Sequence, residues 1–217
     1  MKNNAELQRD VLDELLWDPS INAANVEVAA DDGTVTLRGS IASYTEKWAA
    51  KRAARRVRGA VSVVDDLEVQ LPPADERTDA DLAGTANDSL HWNRLVPHEL
   101  ISVTAANGRL TLTGEVPYHY QRDAAYNAVH SLFGVKDVNN HIRVRPSVSA
   151  GEVKTQIEKA LVRNAETDAA SIHVDTDGGN VTVSGKVHSW SELEEVTRAA
   201  WAAPGVHQVQ NDLIVIV

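Results

Sequence analysis

The sequence predicts an α+β protein built from three tandem αββαβ domains, each a three-stranded mixed sheet packed by two helices. Three observations carry this. One heptapeptide recurs position by position, as Gly33-Thr-Val-Thr-Leu-Arg-Gly39, Gly108-Arg-Leu-Thr-Leu-Thr-Gly114 and Gly179-Asn-Val-Thr-Val-Ser-Gly185. Twenty residues beyond each closing glycine stands another, Gly59, Gly134 and Gly205. The copies then align without a gap from Leu7 to Leu67, from Leu82 to Ile142 and from Val153 to Leu213, a repeat of supersecondary size.

Each copy opens with apolar residues four apart: Leu7, Val11 and Leu15; Leu82, Ala86 and Leu90; Val153, Ile157 and Leu161. That spacing puts one stripe on a helix. The alternating pairs Val26/Val28, Ile101/Val103 and Ile172/Val174 read as a half-buried first strand. It turns at Asp32-Gly33, Asn107-Gly108 or Gly178-Gly179, dipeptides that accept the positive φ of a tight hairpin. Val35/Leu37, Leu110/Leu112 and Val181/Val183 continue it as a second strand. A second helix follows, with capping-box signatures Ser43-x-x-Glu46 and Ser189-x-x-Glu192. Its small buried face runs through Ala50, Ala53, Ala54 and Val57, through Ala125, Ala128, Val129 and Leu132, and through Val196, Ala199, Ala200 and Ala203. Gly59, Gly134 and Gly205 are placed as left-handed C-caps of that helix. A last strand takes in Val63/Leu67/Val69, Val138/Ile142/Val144 and Val209/Leu213/Val215. Proline-bearing stretches at 71–77 and 145–151 read as exposed linkers, giving domains at residues 1–71, 78–146 and 150–217.

The formal net charge of −10 divides as −4, −1 and −5 over residues 1–77, 78–149 and 150–217. No segment is basic overall, so no nucleic-acid partner is expected. The absence of cysteine excludes disulfides and thiolate metal sites. The start of the chain, Met1 to Glu6, carries charge with no apolar stretch after it, and no apolar run nears the roughly 20 residues of a membrane-spanning helix. A cytoplasmic location is expected, or a periplasmic one if the chain is a trimmed mature form.

In order, a helix, a strand, a G-x-V-T-L-x-G hairpin, an alanine-rich helix, Gly-Val and a V-x-N-x-hydrophobic strand resemble the BON domain, named for osmotically induced and nodulation-related bacterial proteins. The resemblance covers the chain three times. The first copy departs from it at Ala60 and at Asp65, where the others have Asn140 and Asn211. It implies an αββαβ fold and a non-catalytic role, with attachment to phospholipid surfaces in envelope and stress proteins.

The repeated positions are glycines and core aliphatics, and no P-loop, nucleophile elbow or H-E-x-x-H pair is present. No catalytic residue, metal site or cofactor is expected. His91, His98, His119, His130, His141, His173, His188 and His207 are read as surface residues that no local motif gathers. The second helix of copy one carries Lys47, Lys51, Arg52, Arg55, Arg56 and Arg58, a candidate patch for an anionic surface or else an ordinary solvated face. Its counterpart in copy three is acidic, with Glu192, Glu194 and Glu195, so self-association through these two helices is a further expectation. Tyr44, His119 and Trp190 share one position at the start of the second helix, as candidate contacts with a membrane or partner, or as packing on the hairpin. Trp17 and Trp92 are expected to cover the end of the first helix. A membrane surface is the leading partner, with a protein-binding scaffold or a small-ligand or cation binder as alternatives.

Overall fold

The computed structural model describes residues 3–145, 149–163 and 169–216. It has two compact units: Met1–Ala86 with Val103–Thr111 and Val129–Asn139, and Asn87–Ser102 with Leu112–Ala128 and Asn140–Val217. Copy one lies in the first unit and copy three in the second, while copy two lends residues to both.

Copy one runs α1 (Asn4–Trp17), β1 (Val26–Asp31), β2 (Thr34–Ile41), α2 (Tyr44–Arg56) and β3 (Ser62–Val69). Copy two follows as α3 (Asp79–Trp92), β4 (Ile101–Ala106), β5 (Arg109–Val116), α4 (His119–Val129) and β6 (Asp137–Val144). Copy three is α5 (Ala150–Arg163), β7 (Ile172–Asp177), β8 (Asn180–Val187), α6 (Trp190–Trp201) and β9 (Gln208–Val215). Each sheet keeps its strands in chain order, and in copies one and three the central strand pairs antiparallel with the first and parallel with the last. A parallel neighbour needs a crossover, and α2 and α6 supply it. The α+β repeat read from the sequence is the observed architecture.

The predicted stripes are the cores. Leu7, Val11 and Leu15 of α1 pack with Val35 and Leu37 of β2 and Ala50, Ala53 and Ala54 of α2. Val153, Ile157 and Leu161 do the same with Val181, Val183, Val196 and Ala200. In copy two Leu82, Ala86, Leu90, Leu110, Leu112 and Ala125 are likewise buried. Alanine on the inner face of α2 brings its backbone close to the sheet.

Helix starts are fixed by side chains the apolar pattern does not reveal. Asn3 and Glu6 form a reciprocal capping box on α1. Ser149 and Glu152 bond in the same way at α5, and Thr78 Oγ1 accepts from Asp81 N at α3. At α2 and α6 the hydroxyls of Ser43 and Ser189 accept from Glu46 N and Glu192 N, as read from the sequence. The glutamates, however, reach further back than a capping box requires. Buried Glu46 accepts from the backbone N–H groups of Ala42 and of Asn22, tying α2 to the segment before β1. Glu192 accepts from His188 N at 2.7 Å.

Two expectations need correction. The left-handed glycines Gly59, Gly134 and Gly205 do not cap helices, because α2, α4 and α6 already end at Arg56, Val129 and Trp201; the glycines turn the chain toward the last strand. Trp17 and Trp92 do not cover helix ends but stand 84% and 81% exposed. The linker at 71–77 is exposed but turned, with Asp75 N donating to Pro72 O; in the second linker, residues 146–148 lie outside the described residues.

The closing glycine of the repeated heptapeptide is sterically obligatory. A Cβ at Gly39, Gly114 or Gly185 would fall 1.9–2.1 Å from the carbonyl oxygen of Asn25, Leu100 or Ser171, at φ between +111° and +143°. Gly114→Val is therefore expected to cost about 3 kcal/mol or more, through clash and backbone strain. His119→Ala should cost much less, and urea denaturation of the two variants makes the comparison. Glu46→Ala leaves two backbone donors without their acceptor and should cost about 1–3 kcal/mol, read in the same experiment.

Candidate functional site

The basic face of α2 is largely committed inside copy one. Lys47 Nζ donates to the Leu67 carbonyl at 2.6 Å and lies 3.5 Å from Asp65, while Lys51 approaches the other Asp65 oxygen at 3.7 Å. These are shielded groups, with side-chain exposures of 17% for Lys47 and 14% for Asp65. Arg56 bonds Glu14 at 2.9 Å and Asp18 at 3.4 Å, which raises its own pKa and lowers that of Asp18, where the bonds from Ser20 are the larger cause. The Arg52 guanidinium sits 4.6 Å from the Trp48 ring centroid, a cation–π contact. Arg55 and Arg58 are exposed.

Asp65 explains much of this charge. In copies two and three its place is held by Asn140 and Asn211. Asn140 accepts from Ile142 N and donates to the Arg122 carbonyl, and Asn211 accepts from Leu213 N and donates to Thr197 Oγ1. Asp65 still accepts from Leu67 N, but it has no amide to donate; lysines at positions 47 and 51 supply the donors instead.

Tyr44, His119 and Trp190 occupy equivalent positions in unequal surroundings. In the second unit the His119 ring lies 4.2 Å from that of Trp201, and Gly205 N donates to the Pro117 carbonyl at 2.7 Å. Desolvation holds His119 below its ordinary pKa of 6.5, with Asp123 at 3.1 Å partly opposing that shift. In the first unit Trp48, one turn into α2, meets His130 with ring centroids 5.6 Å apart. His130 and Trp201 are themselves equivalent, so the end of a following copy's second helix packs on the start of the preceding one in both units. Tyr44 is half-buried, whereas Trp190 is 71% exposed.

Beside each contact lies a groove. In the first unit it is lined by Lys47, Leu67, Glu68 and Val69 facing Lys136. In the second the equivalents Arg122, Ile142, Arg143 and Val144 face His207, with His141 alongside. Two histidines expected to stand apart are in fact paired: His91 Nδ1 lies 3.1 Å from His98 Nε2. Among the described residues no group of three or more histidine and acidic side chains is arranged to hold a metal ion, and no helix is long and apolar enough to cross a membrane. Sequence reasoning missed the Trp48 contact and the grooves, since both join residues of different copies; the only available signal was the equivalence of His130 and Trp201 within the repeat.

The BON domain profile matches residues 3–70, 78–146 and 149–216. The chain is 29% identical over 115 residues to the 21 kDa hemolysin of Actinobacillus pleuropneumoniae, covering 50% of this chain and 59% of that protein. It is 30% identical over 135 residues to osmotically-inducible protein Y of Escherichia coli (strain K12), covering 58% and 65%. It is 25% identical over 115 residues to outer membrane lipoprotein DolP of Haemophilus influenzae, covering 50% and 59%. The chain thus spans less than two thirds of the length of each of these relatives. The cytoplasmic location expected from residues 1–6 is overturned by these relatives, one of which is an outer membrane lipoprotein by name. A repeat free of cysteine can fold in either redox compartment. With three matches that tile nearly the whole sequence, this chain belongs to the BON domain family.

Proposed function

We propose that the chain acts as three modules, at residues 1–71, 78–146 and 150–217, of a non-catalytic envelope and stress protein that attaches to phospholipid surfaces. The observation that carries this reading is the exposure of large apolar side chains at the ends of two first helices. Trp17 and Leu16 are 84% and 69% exposed at the end of α1, and Trp92 and Leu95 are 81% and 60% exposed after α3. Tryptophan, with an apolar body and one polar N–H, suits the boundary between headgroups and acyl chains. Headgroup attraction is secondary, because the chain carries −10 and three of the six basic residues on and just after α2 already face internal acids. Arg55 and Arg58 supply the remaining attraction, on the order of 1 kcal/mol each near an anionic membrane.

A second reading rests on the groove of the second unit, where Arg122, His141, Arg143 and His207 gather in an otherwise acidic chain. These donors suit a small anion, not the cation considered from the sequence.

Co-sedimentation with phosphatidylglycerol-containing vesicles at low and high salt tests the first reading. The wild-type chain is expected to pellet at both salt concentrations. Trp17→Ala combined with Trp92→Ala should lower the bound fraction at both, and Arg55→Glu combined with Arg58→Glu only at low salt. A wild-type chain that stays in the supernatant at low salt, or a double tryptophan variant that binds as well as its parent, ends the reading. Titration with inorganic phosphate by calorimetry tests the second: heat is expected from the wild-type chain and none from Arg122→Glu, and equal heats from both rule the groove out.

A further inference from the structure

Two contacts of one kind repeat along this chain and leave a matching half-contact exposed on copies one and three. In the first unit His130 of copy two packs on Trp48, and Lys136 faces the groove of Lys47, Leu67, Glu68 and Val69. In the second, Trp201 of copy three packs on His119, and His207 faces the groove of Arg122, Ile142, Arg143 and Val144. Each copy can therefore offer two surfaces. The donor surface lies at the end of the second helix and just beyond it; the acceptor surface comprises the start of that helix and the last strand. Copy one uses its acceptor and copy three its donor.

The donor of copy one consists, by position, of Arg55 in place of His130 and Trp201, and Val61 in place of Lys136 and His207. The acceptor of copy three consists of Trp190 and Glu194, with Leu193, Ile214 and Val215 where copy one has Lys47, Glu68 and Val69. Val61 is 84% exposed, Trp190 71% and Ile214 62%. At the groove positions copies one and three present apolar residues, Val61, Leu193 and Ile214, where the interior contacts use charged or imidazole side chains. The two open surfaces are also opposite in charge, and an arginine aligned with a tryptophan and a glutamate can make both a cation–π contact and an ion pair.

We infer that the partner of these surfaces is a second copy of this chain, docked head to tail. Arg55 of one molecule meets Trp190 and Glu194 of the next, and Val61 packs against Leu193 and Ile214, at the positions that line the groove in the other two copies. Because the two surfaces differ, the contact is heterologous and propagates into open chains or rings of several molecules, not closed two-fold dimers. This inference needs no lipid and is tested without it, so its failure leaves the membrane reading untouched.

Sedimentation velocity of the 217-residue chain over a range of concentrations at low salt provides the test. The wild-type chain is expected to shift to larger species as concentration rises. Arg55→Glu and Glu194→Arg should each weaken association at least about tenfold, and both together in one chain should restore it, since the pair is then reversed. Val61→Asp closes the donor and Trp190→Ser the acceptor; the two variants mixed should form species of two molecules and stop there. Circular dichroism checks that each variant is folded, as substitutions at exposed positions should be. A wild-type chain that remains single at every concentration, a charge-swapped chain that fails to recover, or a mixture that grows past two molecules overturns the inference.

Discussion

The carbonyl oxygen that precedes the first strand of each copy lies where a side chain on the second strand would begin. Gly39, Gly114 and Gly185 are what allow it, and other features follow from that approach. In copies one and three it fixes the hairpin register, Val26 opposite Gly39 and Ile172 opposite Gly185, so that the valines and leucines of both strands share one face. The register in turn fixes where the second strand ends and the second helix can start. Glu46 then holds that start against the same pre-strand segment by accepting from Asn22 N. Close approach and buried carboxylate thus act on the same few residues from two sides, which is why a short three-stranded sheet can position its helix without a large core.

Charge in copy one serves the fold before it serves any partner. An aspartate placed where the other copies keep an asparagine must find cations, and Lys47 and Lys51 are within reach because both lie on the helix face above the last strand. Two of the basic residues on α2, Lys47 and Lys51, answer the aspartate on β3. The surface left for other molecules is correspondingly smaller than six basic side chains suggest, and more apolar.

The repeat, its strands and its buried stripes were legible because they depend on local spacing and on small residues at fixed intervals. Positions such as Leu37 or Ala53 answer to periodicity alone. The fate of Lys47 was not legible, since it depends on Asp65 across the crossover, nor was that of Trp17, whose exposure depends on what fails to pack beside it. The contacts of Trp48 and His119 were out of reach for a further reason: a pattern that aligns the copies shows how each folds, not which surfaces neighbouring copies turn toward one another. Location was misjudged because the residues that specify a fold do not specify an address.

Position 65 and its partners amount to two interchangeable solutions for one place in the repeat. In one, an amide on the strand bonds a carbonyl or hydroxyl of the helix; in the other, a carboxylate on the strand takes lysines from it. Mixing the halves would leave either a charge or a donor unpaired, in copy one at a shielded position. The smallest piece that could be transplanted from one copy to another is therefore the second helix together with the last strand. A chimera cut between them would inherit one half of each solution.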